Sequence, residues 1–401
     1  MSTLKVDAIR HNSATSDAIT MASDGTCTAK ITSINEGSAL SHRNIVINGA
    51  MNVAQRSNVT STSAAFQTVD RFAMYFTGTD ENPTQVQFNV DPPGAYHLPT
   101  TGPHPYKEGF RKAYGITNGN QTSGAGAGDY IYISHKIEAQ DMAQCGWNYT
   151  DANSFITLSF WVKSSVAQNF YGYLKAPDSS TSQHYAFETG ALTAFTWKKV
   201  IVKIPGNSNL EFDTDTEANR VNMGLEIVWS PFFGTNYTSS GASLNTWGNL
   251  DNSARMPDYA TGWYTTNDAS FQITGVQLEV GDTATSFEHR TYVDELRRCS
   301  RYCQVWGRGY LIGNAVGSND INIGVPLTTP LRTTPSANAI TMHRSGNQNA
   351  NCTFHSAQYT ANSVVVEIRM GSWTGGSAVS DEVAYAVTPV SPDTMIISAE
   401  M

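Results

Sequence analysis

Apolar and polar residues alternate along most of this chain. In SFITLSFWVK, Ile156, Leu158, Phe160 and Val162 share one face, while Ser159, Trp161 and Lys163 take the other. In WKKVIVKIP, Val200, Val202 and Ile204 point one way and Lys199 and Lys203 the opposite way. In MGLEIVW, Met223, Leu225, Ile227 and Trp229 align. A period of two is that of a half-buried strand. FQITGVQLEVG changes phase: Phe271 and Ile273 set one parity, then Val276, Leu278 and Val280 set the other, with Gly275 at the slip. That pattern predicts a β-bulge at Gly275. Long Gly/Ser/Asn loops join these runs without helical segments between them. The expectation is an antiparallel β-sandwich and not βαβ units.

Both flanks differ from this centre. Near the start, Leu4, Val6 and Ala8 alternate, as do Ile19 and Met21, then Cys27, Ala29 and Ile31. Ser23-Asp24-Gly25-Thr26 lies between the last two runs, a hairpin signal. The segment is too short and too poor in large apolar residues to stand alone, so it predicts other copies of itself or a docking partner. A single amphipathic helix is predicted from about Val293 to Val305, with Leu296, Cys299, Tyr302 and Cys303 on one face and Arg297, Arg298 and Arg301 on the other. Strands then resume: Val364, Val366 and Ile368 alternate with Glu367 and Arg369, and Pro326, Pro330 and Pro335 mark early loops. The expected organisation is all-β: an N-terminal segment at 1–42, a sandwich at 43–292, a connecting helix at 293–306 and a small C-terminal β module at 307–401.

Composition narrows the function classes. At 401 residues the chain can bury a real core without disulfides. Charged residues make up 15%, against roughly 25% in ordinary soluble domains. The polar surface is therefore built from Ser, Thr, Asn and Gln, which suits extracellular β-proteins and hydrogen bonding to carbohydrate. A net charge of −9 without a basic stripe argues against nucleic acid. The five cysteines are scattered and form no disulfide framework. Cys299 and Cys303 read as small buried residues and not as half of a metal site. Met1 to Lys30 shows no signal peptide, and no apolar run approaches the ~20 residues that span a bilayer. These features lead to the expectation of folding in a reducing cytoplasm and release by lysis or another unconventional route.

Several segments together resemble a known family. NIVINGAMNVAQRS (44–57), VDRF (69–72), SFWVKSS (159–165), WKKVIVKIPG (197–206) and ITGVQLEVGDTATSFEHRTYVDELRRCSRY (273–302) look like the jelly-roll domain of tailed-bacteriophage tail-fibre or receptor-binding proteins. The opening MSTLKVDAIRHNSATSDAITMASDGT resembles the attachment segment of fibres in phages of marine bacteria, cyanophages included. The matches keep their order and touch most of 1–305. Beyond 307 only LTTPLRTTPSA (327–337) is similar. The resemblance implies a homotrimer, an N-terminus held by phage tail or adaptor proteins, a sandwich like a carbohydrate-binding module and a distal tip that meets the host. It also implies a location on the virion and adsorption to host polysaccharide or lipopolysaccharide. The alternatives are a purely structural adaptor or head fibre, and a polysaccharide-degrading tailspike. The latter would usually carry a β-helix repeat, which is not seen here.

Candidate chemistry follows the aromatic and acidic residues. The polar stretch from Trp229 to Tyr264 holds Phe232, Phe233, Tyr237, Trp247, Tyr259, Trp263 and Tyr264. Rings so placed either pack, on the sandwich or across a subunit interface, or bind a ligand. Trp247, Tyr259 and Trp263 are candidate sugar contacts, with Tyr359 and Trp373 in the last module. Asp213, Asp215 and Glu217 offer carboxylates at alternate positions that could serve calcium. Ala218 stands where an EF-hand loop needs glycine, and a solvated acidic loop is the competing explanation. Asp251, Asp258, Glu279 and Glu288 are available to a glycosidase, yet no spacing pairs them. Nucleophile, metalloprotease and phosphate-loop motifs are missing. The chain is expected to be non-enzymatic and, calcium aside, free of cofactors.

Overall fold

A computed structural model describes residues 6–29 except 11, 14, 16 and 26, then 43–95 and 101–307, and from 311 onward all but 317–319, 345–347, 361–362, 375–383 and 390–393. Its centre is an antiparallel sandwich. One sheet has six strands in the order Trp247–Asn249, Gln183–Glu188, Tyr171–Ala176, Met223–Phe233, Tyr130–Glu138, Ala73–Thr77. The other has five, in the order Lys198–Pro205, Phe155–Ser164, Ser270–Val280, Lys112–Thr117, Thr84–Asn89. Alternation sets the inner faces as predicted. Ile133, Leu174, Leu225, Ile227 and Trp229 of the first sheet meet Ile156, Leu158, Phe160, Val200 and Val202 of the second in one buried cluster. Phe160 and Trp229 cross edge to face at 5.8 Å.

The phase slip at Gly275 is a bulge. Pairing of Ser270–Val280 with Phe155–Ser164 shifts register between Thr274 and Gln277, and Gly275 has φ +61. A Cβ there would lie 2.7 Å from Phe110 Cζ and 3.0 Å from Trp161 Cδ1. The extra residue lets Phe271, Ile273, Val276 and Leu278 all reach the core despite their opposed parities.

At the N-terminus, Ala8–Ile9, Ile19–Met21 and Cys27–Ala29 form a three-stranded antiparallel sheet. The predicted hairpin turns at Gly25, φ 86. Register places Ile9, Ile19 and Ala29 in one row, with Met21 on the same side. Ile9 and Met21 are 47% and 43% exposed.

The amphipathic helix covers Tyr292–Cys299, shorter than the spacing predicts. Thr291 caps it by accepting from Asp294 N at 3.2 Å. Cys303–Trp306 then becomes a strand against Met395–Ser398. A backbone ladder with the end of the chain outweighs continuation of the helix there, and sequence periodicity does not register so distant a partner. Short helices also occur at Ala139–Gln144, Glu217–Arg220 and Gly262–Thr265.

Six C-terminal strands pair in a closed ring: Leu311–Val316, Asp320–Pro326, Val365–Thr374, Gln348–Gln358, Ile340–Arg344, Ala384–Pro389. The strand Met395–Ser398 lies outside this ring and returns to the sandwich. Arg332 holds it by donating to Ala399 O, Glu400 O and Val221 O, each at 2.8 Å. The Glu400 carboxylate pairs with Arg71 and with Arg56. Among the described residues no helix is long and apolar enough to cross a membrane.

Candidate functional site

Strand alternation that buries isoleucines on one side of the six-stranded sheet places tyrosines on the other. Along Tyr130–Glu138, Ile131 and Ile133 enter the core, so Tyr130, Tyr132, Ser134 and Lys136 face outward. Tyr171, Tyr173 and Lys175 do the same on their strand. Register brings these positions together. Tyr75 stands opposite Tyr132, Val228 opposite both Ser134 and Tyr173, and Glu226 opposite both Lys136 and Lys175. A register shift between Trp229 and Phe232 turns Phe233 outward beside Tyr130.

The result is a continuous ring platform. Tyr75 and Tyr132 lie 5.3 Å apart, Tyr130 and Tyr132 5.5 Å, and Tyr132 stacks on Phe233 at 5.5 Å with 16° between planes. Tyr237 meets Tyr130 edge on at 5.6 Å. These separations favour attraction between aromatic quadrupoles. Phe233 and Tyr173 are buried, but Tyr75, Tyr130, Tyr132, Tyr171 and Tyr237 stay half-buried. The loop after Phe233 folds over part of the face, burying Met256 against Tyr173 and Val228.

Charge sits beside the rings. Glu226 accepts from Ser134 Oγ at 2.6 Å, between two lysines in register. Burial lowers the pKa of Lys136, and Glu226 opposes that shift. His184, opposite Lys175, is pushed down to about 4 by burial and by Arg255, so its imidazole is neutral at physiological pH. Five strands at ~4.8 Å spacing make the face ~19 Å wide. Amphipathic rings can stack on the apolar side of a pyranose while neighbouring polar groups hold its hydroxyls.

The residues predicted from sequence are placed differently. Trp247 turns inward onto Tyr185 at 5.3 Å and donates to Pro205 O at 2.7 Å, leaving 9% exposed. Trp263 is fully buried and donates to Ser270 O at 3.0 Å. Tyr259 leans edge on against Tyr171 at 5.1 Å and donates to Ser230 O, so it belongs to the rim of the tyrosine face. Tyr359 is half-buried, its hydroxyl on Leu331 O. Trp373 lies in Val365–Thr374, with its side chain outside the described residues.

The predicted acidic residues are held by local contacts. Asp213 accepts from Asp215 N at 2.9 Å and from Asn219 Nδ2 at 2.6 Å, and Glu217 opens a short helix capped by Thr216. Among the described residues no group of three or more His, Cys, Asp or Glu could hold a metal ion. Glu279, outward by parity, is 2% exposed beneath Thr285 and paired with Arg43. Glu288 pairs with Arg290 at 3.3 Å.

Sequence reasoning passed over Tyr75, Tyr130, Tyr132, Tyr171 and Tyr173. Their signal is present in YIYISHK and YGYLK. Tyrosines occupy the parity opposite to the core, where charged residues would keep a solvated face wet.

No family model and no curated protein matches the chain. Among solved structures it is similar to the enzymatically active domain of tailspike protein 4 of bacteriophage CBA120, with TM-score 0.28 and 12% identity over 63% of this chain. It spans 24% of that tailspike chain's length. It is also similar to the family 11 carbohydrate-binding module of a cellulosomal cellulase of Clostridium thermocellum. That likeness has TM-score 0.23 and 10% identity, covering 56% of this chain and 96% of the module. Overlaps this slight transfer nothing about binding or activity.

Proposed function

We propose that this chain is a non-enzymatic, homotrimeric receptor-binding fibre protein of a tailed phage. In this reading it adsorbs to host-surface glycans through the tyrosine face of the six-stranded sheet. The observation that carries the reading is the in-register row of half-buried tyrosines on the solvent side of that sheet. A fold that wanted only solubility would place charges there, and a contiguous aromatic patch marks a binding surface. The trimer rests on the N-terminal sheet: strands of two or three residues with Ile9, Ile19 and Met21 on one side need partners. Three weak sites on one particle raise avidity by ~10²–10⁴.

The test is a glycan array of bacterial surface polysaccharides probed with the full chain, alongside its mass in solution by sedimentation. The reading expects discrete glycan hits from a species of three chains. An array without hits would favour a structural adaptor, and released oligosaccharide fragments would favour a tailspike.

A further inference from the structure

The chain as a whole is acidic, with 34 Asp and Glu to 25 Lys and Arg. On the tyrosine face stand Lys136, Lys175 and Arg255, with Glu226 and Glu188. Both carboxylates are engaged. Glu226 takes the Ser134 hydroxyl between the two lysines, and Glu188, at the sheet edge, accepts from Asn169 Nδ2 at 2.7 Å.

Arg255, like Lys175, forms no ion pair among the described residues. Its guanidinium lies 5.2 Å from the Tyr237 ring centroid and 5.6 Å from that of Phe233, so it hangs over the platform. Nη2 donates to the exposed Asn252 at 2.8 Å. Its Nε is buried without a hydrogen-bond partner. In the same seam His184, 8% exposed, packs its ring 5.0 Å from Tyr173. Its Nε2 is also buried and unpartnered. Buried polar atoms ordinarily find partners. Here the unmet Arg255 donor lies beside half-buried rings.

Resting on the reading that this face binds glycan, we infer that the glycan is acidic: a uronic-acid sugar stacked at Tyr130 and Tyr237, with its carboxylate on Arg255. A planar fork of donors matches a carboxylate better than a single point charge does. The exposed Asn252 contact is the one such a ligand would replace.

The experiment titrates the full chain with oligogalacturonate, a neutral gluco-oligosaccharide and a sulfated one of equal length. Wild type should bind the uronate at least tenfold more tightly than the neutral ligand. Arg255→Gln should lower that ratio about tenfold, and Lys175→Gln should lower it less. Lys203→Gln, on the opposite sheet, should leave the ratio unchanged. Equal affinities for uronate and neutral sugar in wild type, or an undiminished ratio in Arg255→Gln and Lys175→Gln, would overturn the inference while leaving glycan binding intact. Tighter binding of the sulfated ligand would overturn the carboxylate assignment. If none of the three binds, the reading beneath it fails as well.

Discussion

Tyr75 and Tyr132 face each other across neighbouring antiparallel strands, ring centroids 5.3 Å apart, on the side of the sheet turned away from the core. Directly opposed aromatic residues stabilise a sheet by roughly 0.2–1 kcal/mol. That gain alone does not account for extending the row through Tyr130 and Phe233 to Tyr237. The glycan-binding role proposed above does.

The bulge at Gly275 should tolerate no side chain. Gly275→Val sets a Cβ 2.7 Å from Phe110 Cζ at φ +61, combining overpacking with a backbone region that β-branched residues avoid. The expected loss is about 3 kcal/mol or more, seen as a lower unfolding temperature and poor soluble yield. A thermal midpoint equal to wild type would contradict the role assigned to the bulge.

Asp70 should make stability depend on pH in an unusual direction. It is fully buried, accepts from Gln55 N and Nε2, and lies 3.9 Å from Arg56. Burial raises its carboxyl to about 6, with Arg56 opposing. The folded state therefore binds this proton more tightly than the unfolded chain. Between about pH 6 and pH 4 this group adds stability as pH falls, the reverse of an ordinary paired carboxylate. His184 and His135, both shifted down by burial, act oppositely, so a comparison with Asp70→Asn isolates the term. Denaturant unfolding at pH 7 and pH 4 should show wild type gaining about 2 kcal/mol on the variant. Parallel profiles would refute the assignment.

Glu400 should fasten the end of the chain to the sandwich. Its carboxylate meets Arg71, which is 1% exposed and also lies over the Tyr302 ring at 3.4 Å, and Arg56 at 3.3 Å. Glu400→Ala leaves two buried guanidinium groups short of an anion, at a cost of about 3–5 kcal/mol. Hydrogen exchange should accelerate first in Cys303–Trp306, the strand that pairs with Met395–Ser398. Unchanged protection there would mean that the ladder holds without the ion pairs.

These relationships were unequally legible in the sequence. Ile156 to Val162 and Val200 to Ile204 announce their faces because alternation is a local property, and Gly275 shows its bulge because the phase changes around it. Cys303 to Trp306 could not be read as a strand, since its partner lies about ninety residues away. Glu279 has the parity of a solvated residue, but the turn at Thr285 covers it. Aromatic density pointed to Trp247 and Trp263, whose bulk made them core. The less conspicuous alternation of Tyr130, Ile131, Tyr132 and Ile133 carried the candidate site.

The most direct test of the account compares wild type with the double variant Tyr75→Ala/Tyr132→Ala by titration calorimetry against a surface polysaccharide recovered from the array. The account predicts saturable binding by wild type and a loss of at least tenfold in the variant, with near-native unfolding of the sandwich. Equal binding by the two proteins would contradict it.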